Sequence, residues 1–268
     1  MADNEAEAAD FKDTETGKPL KKVKEESYFL RMSKYHDWLV NYIENENPSF
    51  VQPASYRNEI LGRLRKDRLR DLSLSRTSFQ WGIPMPEGFD EKHVMYVWFD
   101  ALSNYLTGVH YLDEQAHEMK RYWPANVQII GKDIIWFHCV IWPCMLKSAG
   151  LPLPKTVFSH GFVYAADGRK MGKSLGNAVE PHLITAKYSV DSIRYYMCSS
   201  ATYGADLNFS EEVLTTNHNS ELADTLGNLV HRSLNLCKVF LFLCRFCPIF
   251  FIYSTSMYSL GVLRRVCA

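Results

Sequence analysis

Ten residues, GRKMGKSLGN from Gly168 to Asn177, set Arg169, Lys170 and Lys173 among three glycines. A segment this polar and this loosely constrained cannot bury itself. Lysine carries a compact charge on a long stem, and glycine lets the backbone bend. Lys170 and Lys173, three apart with Ser174 beside them, therefore suit an anion that appears, is neutralised and leaves. The plain alternative is a solvated turn between two elements.

Other residues with chemical potential sit where apolar runs end. The runs HVMYVWF, NVQIIG and KTVFSHGFVYAADG read as three strands. The first leads into a helix starting near Asp100, a candidate cap, and the third turns at Asp167-Gly168. Strands alternating with helices predict a parallel sheet, whose sites lie at the carboxyl ends of its strands. Three stretches follow those ends: Trp98 to Tyr105, Gly131 to His138, and His160 to Ser174. Trp98 and Tyr105 are seven apart and share a helical face. With Phe137 and His138, and Trp142 behind, they could line an apolar slot or simply fill a core. Gly131 lets a ligand approach the backbone. Asp133 could accept a hydrogen bond from that ligand or cap the next helix, and the two roles are compatible.

Helical elements flank these runs. Tyr28, Phe29, Met32, Tyr35, Leu39, Tyr42 and Ile43 form a helical stripe that Pro48 and Pro53 break. A second helix through ASYRNEILGRLRKDRLRDL carries Arg57, Arg63, Arg65, Lys66, Arg68 and Arg70. It reads as a solvated face balanced by Glu59, Asp67 and Asp71, or as an RNA phosphate contact. Ser189 and Asp191 are candidate N-caps, and a long helix is expected from Ser210, with Gly227 inside it.

Thirty basic and thirty acidic residues in 268 leave no net charge, so any nucleic-acid contact needs a local patch. Seven cysteines without regular spacing and no secretory signal indicate reduced thiols inside a cell. Cys244 and Cys247 form one C-x-x-C without a second pair, which makes no zinc site, and no metal ligands are assigned. From Val239 to Leu263 the chain turns strongly apolar. It is long enough for a membrane span but interrupted by Arg245 and Pro248, so an unrelated appended tail is the expectation.

Four strings in order, VWFDALSNYL (97–106), IIGKDIIWFHCVIWPCML (129–146), SHGFVYAADGRKMGKSLGN (159–177) and ADTLGNLVHRSL (223–234), closely resemble methionyl-tRNA synthetase, a class I aminoacyl-tRNA synthetase. EESYFLRMSKY and DLSLSRTSFQWGIPMP add to the resemblance, which covers about residues 17 to 238. KMGKS is similar to the class's KMSKS loop with Gly172 in place of Ser. The family's HIGH signature has no counterpart here.

The resemblance implies an α/β fold. It is the C-terminal half of a Rossmann-like class I synthetase catalytic domain, followed by an α-helical segment starting the anticodon-binding domain. The expected divisions are a disordered lead-in (1–24), the end of the connective insertion (25–90), the catalytic half-domain with the KMSKS-type loop (91–178), a stem-contact region (179–209), the first anticodon-domain helix (210–238) and the tail (239–268). The implied activity is ATP-dependent formation of methionyl-adenylate and transfer to tRNA(Met), with Mg2+ as the accompanying ion and the cytoplasm or an organelle as its place.

Lys170, Lys173 and Ser174 are then the catalytic candidates. Gly131, Asp133 (toward a ribose hydroxyl), His160, Gly161, Lys170, Met171 and Lys173 would hold ATP. Trp98, Ala101, Leu102, Tyr105, Phe137 and His138 would hold L-methionine, with the His138 ring or the Tyr105 hydroxyl able to donate to its sulfur. Residues 1–238 alone are expected to be inactive. A non-catalytic module that binds tRNA or a synthetase, a membrane-tethered protein, and a class I synthetase for another apolar amino acid are the rivals.

Overall fold

The structure is a computed structural model that describes residues 25–111, 121–166, 168–172 and 176–245, together with Phe11, Pro19, Asp113 and Gln115; the side chains of 242–245 lie outside that description. The chain divides into two compact units, Met1–His160 and Gly161–Ala268.

In the first unit a short strand β1 (Phe29–Leu30) precedes a 3-10 turn (Met32–Tyr35), helix α1 (His36–Asn41) and a wide π turn (Tyr42–Glu46). The expected stripe is thus helical only from Met32 onward. Phe29, counted in it, is 61% exposed on β1. Leu39 and Ile43 carry the buried face, with Phe50 and Val51 just beyond. Strand β2 (Val51–Gln52) leads into helix α2 (Ala54–Lys66), whose Ile60, Leu61 and Leu64 are buried at helical spacing. Its cations, and Arg68 just beyond its end, find partners outside the expected acids. Arg65 pairs with Glu44 at 2.5 Å, Arg68 with Asp37 at 2.8 Å, and Arg63 lies 4.2 Å from the ring centre of Trp136. Asp71 instead accepts from the Ser33 amide at 3.1 Å.

Strands β3 (Leu72–Ser73), β4 (Ser75–Arg76) and β5 (Val94–Met95) form antiparallel pairs, β1 with β3 and β4 with β5. The run HVMYVWF therefore gives only a two-residue strand, outside the parallel sheet. Helix α3 (Val97–Thr107) begins directly after Tyr96, earlier than expected. Asp100 lies in its first turn and caps nothing. The parallel sheet has the order β2-β7-β6, with β6 spanning Gln128–Gly131 and β7 spanning Val157–His160. Its third strand is β2, from the Pro-flanked stretch read as a break. Two residues are too short to show a period.

Parallel neighbours need a crossover, and the helical segment from Lys132 to Ser148 supplies it. That segment starts as a 3-10 turn (Lys132–Ile134), widens into a π turn (Phe137–Ile141) and ends as helix α4 (Trp142–Ser148). Pro143 explains the widening: it has no N–H to give, and its ring crowds the carbonyl one turn back. Asp133 sits inside the 3-10 turn, where Gly131 is the N-cap and no side chain caps.

The second unit pairs β8 (Val163–Tyr164) in parallel with β9 (Leu207–Asn208). Between them lie α5 (Pro181–Lys187) and α6 (Val190–Ser199). Ser189 does cap α6, accepting from the Ser192 amide at 3.1 Å, while Asp191 lies in its first turn. Ile184, Tyr196, Phe209 and Leu214 form this unit's core. The Tyr196 hydroxyl donates to Asn208 O at 3.1 Å and accepts from Ser210 N at 3.0 Å.

Ser210 caps the expected long helix, which runs as α7 (Glu211–Asn217), a π stretch (His218–Gly227) and α8 (Asn228–Arg245). Gly227 falls at the join. It is exposed, and a Cβ there would meet only the Leu222 carbonyl of its own helix, at 3.3 Å, so the close packing that would offset the glycine is not seen among the described residues. The helix passes Lys238 without a break; the tail from 246, with Pro248, Cys247 and Cys267, lies outside the described residues. Among the described residues no helix is long and apolar enough to cross a membrane.

Candidate active site

In the first unit, Trp98 and Tyr105 project from one face of α3 toward the π turn. Trp98 stacks on Phe137 with ring centroids 3.8 Å apart and planes 15° apart. Trp98 and Tyr105 each meet His138 edge-on, at 6.4 and 5.7 Å, and Tyr105 lies 6.1 Å from Trp142. The widened helix brings His138 to this cluster, where it is 2% exposed. Of the expected slot residues, Trp98, Tyr105, Phe137 and His138 form one aromatic set. Leu102 is buried in the core and Ala101 is exposed on the same helix.

Two hydrogen bonds fix the protons of this set. His138 Nδ1 lies 3.0 Å from Ile134 O, and Nε2 lies 2.8 Å from the Tyr105 hydroxyl. A carbonyl can only accept, so Nδ1 carries the proton; Nε2 is then an acceptor, and Tyr105 donates to it. Both candidate donors to a sulfur are thus committed elsewhere. Burial lowers the His138 pKa, opposed by the bond to Ile134, so the ring is neutral at pH 7. Burial likewise raises the Tyr105 pKa. It also pushes the neighbouring thiols up, Cys144 to about 12, which leaves them unreactive.

Gly131 and His160 end β6 and β7 and are register partners at the carboxyl edge of the sheet. The Asp133 carboxylate folds back over Gly131: a Cβ built there would lie 2.7 Å from Asp133 Oδ1 and 3.8 Å from His160 Cε1. The three expected residues therefore form one open shelf, with Asp133 and His160 exposed on it.

Gly161, Lys170 and Met171 belong to the second unit. Gly161 is buried where the backbone of Ala205 crosses it, and a Cβ would come within 2.3 Å of the Ala205 carbonyl. Its local job is therefore close backbone packing. The basic segment opens as a hairpin: Ala165 N donates to Arg169 O at 2.8 Å and Met171 N to Val163 O at 3.2 Å, with Gly168 at φ +75° making the turn. Met171 packs on the core of this unit. Lys170 Nζ rests 4.0 Å from the ring centre of Phe162. Lys173, Ser174 and Asp167 lie outside the described residues.

Sequence reasoning missed two residues here. Asn177 accepts from Gly172 N at 3.0 Å through its side-chain oxygen and donates to Lys170 O at 3.2 Å, tying the two arms of the loop. The Asn directly after Gly176 was the available signal. Asp206 accepts from Phe162 N at 2.7 Å, a contact across 44 residues that no local pattern encodes.

The profile of the family described as tRNA synthetases class I (M) matches residues 7–234. The methionine–tRNA ligase of Clostridium tetani is 46% identical over 234 residues, which are 87% of this chain and 36% of that protein. The methionine–tRNA ligase of Brucella suis biovar 1 is 50% identical over 220 residues, 82% of this chain and 42% of its own length. Among solved structures, Mycobacterium tuberculosis methionyl-tRNA synthetase bound by methionyl-adenylate superposes with a TM-score of 0.75 at 45% identity, covering 83% of this chain and 43% of that one. The chain thus spans 36 to 42% of the length of these curated relatives. Its mixed α/β architecture with a parallel sheet is that of a class I synthetase catalytic domain.

Proposed function

This chain belongs to the class I tRNA synthetase family of the methionine type, and on that premise we propose that it supplies the amino-acid slot and the phosphate-neutralising loop of a methionine–tRNA ligase. In the protein where this segment works, the methionine carboxylate attacks the α-phosphate of ATP and pyrophosphate leaves. The methionyl group then passes from the adenylate to the terminal adenosine hydroxyl of tRNA(Met). We place this work in the cytoplasm.

The observation that carries the reading is the closed aromatic set of Trp98, Phe137, His138 and Tyr105. A linear thioether is polarizable and packs well against ring edges. With the His138 and Tyr105 protons committed to each other and to Ile134, the slot selects by shape and dispersion rather than by donating to sulfur. The shelf of Gly131, Asp133 and His160 would take the ribose side of ATP, Asp133 accepting from a hydroxyl. Negative charge grows on phosphate oxygens as pyrophosphate departs. Lys170 and Lys173 would meet it, Lys170 leaving the face of Phe162 to do so, with Ser174 adding a donor. Magnesium would arrive with the triphosphate. Among the described residues no cluster of three His, Cys, Asp or Glu offers it a protein-held site.

Methionine-dependent ATP–pyrophosphate exchange tests the proposal. Residues 1–238 alone should give none, and should give it once a relative's HIGH-bearing half is added in trans. Lys170→Ala should then lower exchange by about 100-fold, in the range for removing one charge-stabilising group. Exchange that ignores Lys170, or that runs equally well without methionine, would sink the reading.

A further inference from the structure

A neighbouring face of α3 borders a second cavity. Trp98, Leu102 and Tyr105 point one way; Phe99, Asp100, Ser103 and Leu106 line a separate open pocket of about 420 Å³, whose other walls include Met95, Trp142 and Met145. The volume lies within the range of small-molecule sites. The wall is mostly apolar, and no Lys, Arg or His lines it.

One charged group in this wall lacks a partner. The Asp100 side chain, in the first turn of α3, is half-buried and receives no hydrogen bond or ion pair among the described residues. The Ser103 hydroxyl, its nearest wall neighbour in sequence able to donate, spends its proton on Asp100 O at 2.6 Å. A half-buried carboxylate without a cation, at the edge of an otherwise apolar wall, is open to pairing with a ligand cation.

We propose that this pocket binds a small amphipathic amine, its apolar body filling the cavity and its ammonium group paired with Asp100. The site is distinct from the methionine slot but shares Trp142 with its rear wall, 6.1 Å from Tyr105.

The test uses the full chain labelled with [13C-methyl]methionine, probed with 4-phenylbutylamine and with its neutral isostere 4-phenylbutanol. The methyl signals of Met95 and Met145 should shift with the amine, which should bind about 10-fold more tightly than the alcohol. Asp100→Asn, which keeps size and shape, should bring the two within about twofold of each other. Ser103→Phe should fill the cavity and abolish both sets of shifts, with the Met32 and Met171 signals reporting an intact fold. Equal binding of amine and alcohol by the native chain would overturn the proposal. So would a preference that survives Asp100→Asn, no binding of either probe, or shifts at Met171 without shifts at Met95 and Met145.

Discussion

Tyr105 and His138 hold each other in place, and that pairing has consequences measurable on single residues. Tyr105→Phe removes the proton that His138 Nε2 accepts and leaves a buried acceptor unpaired, a loss of about 1–3 kcal/mol. Chemical denaturation should show it as a lower midpoint at unchanged slope; no change would mean the ring finds another donor. His138 also gives the chain a pH dependence. Burial lowers its folded pKa below the value of 6.5 that it regains on unfolding, so below about pH 6.5 the unfolded state binds more protons. Stability should therefore rise from pH 5 to 7 and fall again on acidification. His138→Asn should flatten that slope, and parallel melting curves for both proteins would refute the assignment. Gly161→Ala drives a methyl into the Ala205 backbone, an overpacking worth roughly 3 kcal/mol, and should lower the melting temperature of the second unit.

At the scale of elements, the loop and the widened helix carry the argument. The basic loop is held at its base by a hairpin and across its arms by Asn177, while Lys170 rests on Phe162. Asn177→Ala should free the arms. Tryptic cleavage at Lys170 should quicken by about 5-fold, the effect of losing about 1 kcal/mol of local protection, while global stability stays unchanged. Unaltered cleavage would show that the hairpin alone holds the loop. The crossover helix shows the opposite logic: Pro143 forces a π turn, and that turn is what swings His138 to the face of Trp98 and Tyr105. Proline was visible in the sequence. The direction in which the helix would widen was not, because it depends on which carbonyls the packed helix can spare.

For the whole molecule, the apolar surface decides behaviour in solution. Ile129 on β6 is 63% exposed, and along α8 Leu229, Leu234, Leu236 and Phe240 are each more than half exposed. A helix face of this kind with no cover among the described residues favours association. The chain should self-associate in a concentration-dependent way by sedimentation velocity, and Leu229→Lys with Leu236→Lys should return it toward monomer. Monomeric behaviour of the native chain at high concentration would count against an open face.

Local chemistry alone marked most of the helical runs, the Ser189 cap, the start of the long helix at Ser210, the two main strands β6 and β7 and the residues at their carboxyl ends. Each of these follows from periodicity or from one side chain meeting its own backbone, which a linear string records. Tertiary structure alone decided that β2 completes the sheet, that Asp133 shelters Gly131 instead of capping, that Gly161 serves a backbone crossing, and that Asp100 faces a pocket. Those outcomes rest on contacts between residues distant along the chain, or on which side of a helix is covered, and no spacing in the sequence encodes either.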